Sequence, residues 1–88
     1  KDPYHGVSIH YVSSELDAGP LIAQGIIKVG KDEKLSNIIE RIHKIEHLLL
    51  PEIIKEICNN NIYLDNEEVK FLNISLNNQK LIKKSYEI

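Results

Sequence analysis

Residues 5–24, HGVSIHYVSSELDAGPLIAQ, decide how this chain is read. Val7, Ile9 and Tyr11 alternate with Ser8, His10 and Val12, the two-residue period of a strand. A second, more continuously apolar run extends from Leu21 to Val29. Between the two lies Ser13 to Pro20, with Asp17 just ahead of Gly19-Pro20. Loops at strand ends carry chemistry because the sheet fixes their position while their backbone is free to bend toward a ligand. The expected layout is therefore two strands, over about 7–13 and 21–29, joined by an active-site loop that carries Asp17 and is preceded by His10.

Working outward, Gly30 and Lys31-Asp32-Glu33 form a polar break, and Asp32 or a neighbour is placed to accept hydrogen bonds from the first amides of a helix. Leu35, Ile38, Ile39, Ile42, Ile45, Leu49, Leu50, Ile53, Ile54 and Ile57 then recur at three- and four-residue steps, which predicts one long helix packing an apolar stripe on the sheet. Glu46 interrupts that stripe. Pro51 removes one backbone donor and pushes against the carbonyl of His47, so a bend is expected there. On periodicity alone, Glu46 is a boundary carboxylate and Pro51 a tolerated kink. Asn59-Asn60-Asn61 ends the helix, and Ile62–Leu64 and Val69–Leu72 flank Asp65–Glu68 as a short hairpin. The last sixteen residues are polar, and their Asn and Lys content reads as compositional bias. The fold class is α/β.

Composition narrows the function classes. The 88 residues, 42% of them hydrophobic, form at most one small domain with a modest core. Cys58 is the sole cysteine, which excludes an intrachain disulfide and fits a reduced, cytoplasmic setting. No run of eighteen apolar residues and no basic amphipathic tail is found, so no membrane role is expected. Net charge is −2 and only Lys80, Lys83 and Lys84 cluster, so no nucleic-acid partner is expected either. His43 and His47 stand four apart on the helix, a spacing that suits zinc, but no third ligand accompanies them and no metal site is expected. The chain lacks methionine and opens on the polar Lys1-Asp2-Pro3-Tyr4, which reads as the middle of a longer protein.

The string His10-Tyr11-Val12, Leu16-Asp17-Ala18-Gly19-Pro20-Leu21-Ile22 and Gln24 resembles the signature of folate-dependent formyltransferases. Ile45-Glu46-His47-Leu48-Leu49-Leu50-Pro51 is similar to the Glu-His-x-x-x-Pro helix of the phosphoribosylglycinamide formyltransferase (glycinamide ribonucleotide transformylase) family. The resemblance runs from about Gly6 to Ile57 and more loosely to Ile88. It implies that residues 1–88 are the C-terminal part of one Rossmann-like domain, supplying later strands, the Pro-kinked helix and a small hairpin. It implies acyl transfer, in which the amine of glycinamide ribonucleotide attacks the formyl carbon of 10-formyltetrahydrofolate and the tetrahedral oxyanion expels the folate nitrogen. By resemblance Asp17 is catalytic and pairs with a histidine whose pKa it raises, His10 helps hold Asp17, and Ser13, Ser14, Glu15, Leu16 and Asp17 wrap the pterin ring largely through backbone groups. Glu46 is implied at the ribose hydroxyls, where a carboxylate accepts from two neighbouring groups, with His43, Lys44 and Ile45 lining the same site.

The chain departs from the family pattern in having no Asn-x-His-Pro motif, which there supplies the oxyanion donor and the proton shuttle, and no Gly-rich phosphate turn at a helix N-terminus. The missing N-terminal half of the same enzyme is therefore an expected partner, and the 88 residues alone are expected to be inactive. Two other readings stand beside this one. One is another formyl-folate enzyme, above all formyltetrahydrofolate deformylase, which shares the loop and releases formate by hydrolysis. A non-enzymatic interaction module would instead pair its strand edges with another chain.

Overall fold

The computed structural model describes residues 3–11 and 19–88. Strand β1 (Tyr4–His10) pairs antiparallel with β2 (Leu21–Lys28), and helix α1 (Leu35–Cys58) follows. A hairpin of β3 (Ile62–Asp65) and β4 (Glu68–Phe71) comes next, and β5 (Ile82–Tyr86) closes the order. The main sheet runs β1-β2-β5, with β5 parallel to β2, and the hairpin forms a two-stranded sheet of its own. Ile22, Ala23 and Ile27 of β2 meet Ile45, Leu49 and Ile53 of α1 and Ile62 of β3 in a single core.

Gly25 lets helix and sheet approach closely. A Cβ there would stand 2.6 Å from Ile45 Cγ2 and 3.2 Å from both Leu49 Cδ2 and Tyr86 Cε2, so any side chain would force α1 off β2. Near the loop the register slips: Ile9 faces Ala23, yet His10 faces Leu21, leaving Ile22 as the extra residue of a β-bulge. Two residues opposing one explains why Ile22 and Ala23 are both buried, which strict alternation forbids.

Several expectations are corrected. The first strand begins at Tyr4 rather than near residue 7. Asp32 does not cap the helix: the cap position is Lys34, without a side-chain hydrogen bond. The neighbouring Glu33 organises this corner, accepting from the Gly30 amide at 3.0 Å, from Asn37, and from Arg41 Nη1 at 2.7 Å on each carboxylate oxygen. Arg41 also donates to the carbonyls of Lys28 at 3.0 Å and Ile88 at 2.5 Å, so one guanidinium ties helix, sheet and tail together. These hydrogen bonds hold the Glu33 carboxyl below its ordinary pKa of 4.5, the Gly30 amide contributing most and the Arg41 side chain next.

The apolar stripe of the helix is narrower than its sequence suggests. Ile45, Leu49 and Ile53 are buried, whereas Ile39, Leu50 and Ile54 are exposed on the adjoining side and Leu35 is exposed at the first position of the helix. The helix runs through Pro51 to Cys58, and the proline ring is exposed. The hairpin turns where expected, with Asn66 and Glu67 at φ 51 and 65, the left-handed pair that a tight two-residue connection requires. It stands outside the main sheet and is not the last element. The polar tail supplies the third sheet strand, in which half-buried Ile82, Lys84 and Tyr86 alternate with exposed Lys83 and Ser85. Lys84 joins the inward series because its head reaches Glu52 on α1 while its stem lies along the packed face. Burial raises the Tyr86 phenol above its ordinary value.

Candidate active site

The loop between β1 and β2 closes on a backbone neck. The Tyr11 amide donates to the Pro20 carbonyl at 3.0 Å, and the Gly19 amide donates to the Tyr11 carbonyl at 2.6 Å. A Cβ on Gly19 would collide with that carbonyl, so the glycine of the Gly-Pro pair is a steric requirement of the neck. His10, half-buried at the end of β1, donates from Nδ1 to the same Tyr11 carbonyl at 3.1 Å. Because a carbonyl only accepts, this bond fixes the proton on Nδ1 and leaves Nε2 as the ring position open to further contact. His10 is thus anchored to the neck of the loop that carries Asp17. The expected loop residues Ser13, Ser14, Glu15, Leu16 and Asp17 lie outside the described residues.

Beside the neck, β1 and α1 form a groove of about 230 Å³ lined by Val7, Ser8, Ile9, His10, Glu46 and Leu50. It brings together His10 from the strand and Glu46 from the helix, two groups 36 positions apart in the chain. Their positions follow from the two element periods. Val7 and Ile9 share the β1 face that partners Gly25 and Ala23, while Glu46 and Leu50 stand one residue beyond the buried Ile45 and Leu49 on the helix. The groove is apolar along its wall, with an imidazole and a carboxylate at its margin. Such a setting suits a ligand with an apolar ring and hydroxyl groups.

The remaining expected residues divide. His43 and Lys44 are exposed on α1 and are not among the residues lining this groove. Ile45 is fully buried against the Gly25 position, so its side chain serves packing. Leu50, read from the sequence as part of the core stripe, instead lines the groove and is 45% exposed. Ser8 was not singled out; it borders the groove and its hydroxyl accepts a 3.4 Å hydrogen bond from Gln24. Among the described residues no three His, Cys, Asp or Glu side chains gather into a metal-binding group, and no helix is long and apolar enough to cross a membrane.

The sequence resembles known proteins over the same stretch that builds this geometry. A phosphoribosylglycinamide formyltransferase of Bacillus subtilis (strain 168) is 42% identical over 52 residues, which cover 59% of this chain and 27% of that protein. The matched stretch spans about a quarter of the length of that relative and of a phosphoribosylglycinamide formyltransferase of Escherichia coli (strain K12). Two solved structures extend the likeness to nearly the whole chain. A phosphoribosylglycinamide formyltransferase from Coxiella burnetii superposes with a TM-score of 0.76 at 29% identity, covering 94% of this chain and 38% of that one. Its counterpart from Anaplasma phagocytophilum gives 0.78 at 29% identity, covering 98% and 40%. A formyltetrahydrofolate deformylase of Arabidopsis thaliana is 32% identical over 53 residues. The sequence profile of the formyl transferase family matches residues 2–54, the span that contains both strands, the loop and the groove-lining part of the helix. The chain belongs to the formyl transferase family.

Proposed function

We propose that this chain is part of an enzyme that transfers a formyl group from 10-formyltetrahydrofolate to the amine of glycinamide ribonucleotide in purine synthesis. The observation that carries the reading is the convergence of His10 and Glu46, one from each half of the double motif, on a groove at the neck of the loop that holds Asp17. In this reading the pterin sits against the backbone of residues 13–17. Asp17 favours the charged form of a histidine supplied by the rest of the enzyme, and that imidazolium donates a proton as the folate nitrogen leaves. His10, tied to the Tyr11 carbonyl, keeps the loop in register with the sheet, and Glu46 accepts from the ribose hydroxyls with His43 and Lys44 nearby on the helix. The isolated 88 residues supply neither the oxyanion donor nor the proton shuttle, so catalysis belongs to the assembled protein. A cytoplasmic location accords with the single unpaired thiol.

The test is a formyl-transfer assay on the chain completed by the remainder of the enzyme. Asp17→Asn is expected to abolish turnover while leaving the fold intact, because it keeps the shape and removes the charge. Glu46→Gln is expected to raise KM for the ribonucleotide more than it lowers kcat. Near-full activity of the Asp17→Asn protein would reduce the loop to a folate platform. The likeness to a deformylase supports one further reading, and it is distinguished in the same assay: release of formate in the absence of ribonucleotide would favour hydrolysis over transfer.

A further inference from the structure

Helix α1 is held on the sheet by two kinds of contact. Along Ile45, Leu49 and Ile53 the contact is apolar, and because such burial has no preferred direction it keeps the helix close while resisting a roll about its axis only weakly. Arg41 supplies the direction. Its Nη1 donates to both carboxylate oxygens of Glu33 at 2.7 Å, its Nη2 to the Lys28 carbonyl at the end of β2 at 3.0 Å, and its Nε to the Ile88 carbonyl at 2.5 Å. All three nitrogens of one planar fork are engaged, so the guanidinium has little freedom to turn. The Arg41 and Glu33 side chains are 18% and 12% exposed, whereas a second pair joining sheet to helix, Lys84 with Glu52, is 40% and 46% exposed. An open pair of that kind contributes little. Arg41 is therefore the stronger polar anchor of the helix.

We infer that Arg41 is a positioning residue for Glu46: it holds α1 at the roll that keeps this carboxylate on the groove beside β1. Glu46 stands five residues beyond Arg41, about 7.5 Å along the helix axis, with unbroken helix between them. It is also a single position past the fully buried Ile45, at the boundary between packed face and groove, where a small roll changes the surroundings most. At a side-chain radius of about 5–6 Å, a roll of about 20° carries the carboxylate through about 2 Å, more than a hydrogen bond tolerates. Leu50, one turn further on, lines the same groove and moves with it. Arg41 itself is not among the groove-lining residues, so it acts through the helix rather than on a ligand. Lysine is no substitute, because an ammonium on a flexible stem lacks the fork that meets a carboxylate and two carbonyls at fixed angles. The inference rests on the proposed contact between Glu46 and the ribose hydroxyls.

Steady-state kinetics and methyl NMR on the chain completed by the remainder of the enzyme test it. Arg41→Ala is expected to raise KM for the ribonucleotide about tenfold, as for one lost hydrogen bond to a charged group, with kcat and the folate KM within about threefold. Arg41→Lys is expected to fall between, and it answers the question if Arg41→Ala does not fold. Ile62→Val, a buried change in the hairpin, lowers stability without touching Arg41 and is expected to leave both KM values as they are. A double-mutant cycle is the sharpest comparison: once Glu46→Gln has raised the ribonucleotide KM, Arg41→Lys is expected to add nothing. The methyl chemical shifts of Val7, Ile9 and Leu50 are expected to move in Arg41→Lys and to stay in Ile62→Val. Where Glu46→Gln raises KM, an unchanged KM in Arg41→Lys, or a penalty as large with Glu46→Gln as without it, would overturn the inference. Unmoved methyl shifts would overturn it in either case. Glu46→Gln with an unaltered KM sinks the ribose contact alone, and the methyl shifts then decide the role of Arg41.

Discussion

Ile45 and Leu49 on one side, Glu46 and Leu50 on the other, are two pairs with the same four-residue spacing on the same helix, offset by a single position. The first pair is fully buried against β2, where Gly25 makes room for it. The second lines the groove beside β1, with Leu50 45% exposed. A rotation of about 100° around the helix separates a packing face from a groove-lining one. Leu49 and Leu50 are chemically identical, so hydrophobicity cannot tell the two faces apart. What distinguishes them is the surface opposite: a continuous strand under Leu49, a free strand edge under Leu50.

The largest expected effect tests that contrast directly. Leu49→Ala should cost about 2–5 kcal/mol of folding stability, read from urea denaturation, because a buried side chain leaves a cavity that the packed sheet cannot fill. Gly25→Ala should cost about 1–3 kcal/mol by overpacking against Ile45, with a lower urea midpoint. A neutral result there would mean that α1 sits more loosely on β2 than the 2.6 Å approach implies. Acid titration probes the far end of the helix. Glu33 has a lowered folded pKa, so its contribution is complete above the ordinary value of 4.5 and is lost as pH falls through the lower folded value. The stability difference between the chain and its Glu33→Gln variant should therefore be constant near neutrality and shrink only below that range. The smallest effect belongs to the groove: Leu50→Ala should change stability of the isolated chain by no more than about 0.5 kcal/mol. If it matched Leu49→Ala, the two faces would be one core, and the separation drawn between them would fail.

The elements with strong local signals were legible from residues alone. The period of Val7, Ile9 and Tyr11, the run beginning at Leu21, the long helical stripe and the Asn-rich turns all lead to the strands, helix and hairpin observed. Three features were hidden. β5 was masked by Lys83 and Lys84, whose charge outweighs a weak alternation that only the parallel neighbour β2 makes worthwhile. The bulge at Ile22 leaves no trace in composition, since it is a property of pairing between two segments. The helix corner was expected to rest on Asp32 or a neighbour accepting from the first helical amides, whereas Glu33 bonds the Gly30 amide and the side chains of Asn37 and Arg41. Of the candidate site, His10 and Glu46 were named through motifs, and their meeting in one groove required the fold. The exposure of Leu50 depends on what borders β1, which no pattern within the helix encodes.

The neck at Tyr11, Gly19 and Pro20 also bears on how such a protein can change over generations. Because Tyr11 is hydrogen-bonded to both Gly19 and Pro20, the sheet is presented with the same crossing point whatever sequence fills the interval. For a loop closed in this way, each doubling of length costs only about 0.6 kcal/mol in closure entropy. New side chains, or a few extra ones, are therefore tolerated between the fixed ends while the strands and helix stay as they are. Changes of sequence between those fixed ends are therefore separated from the foldability of the sheet and helix that flank them.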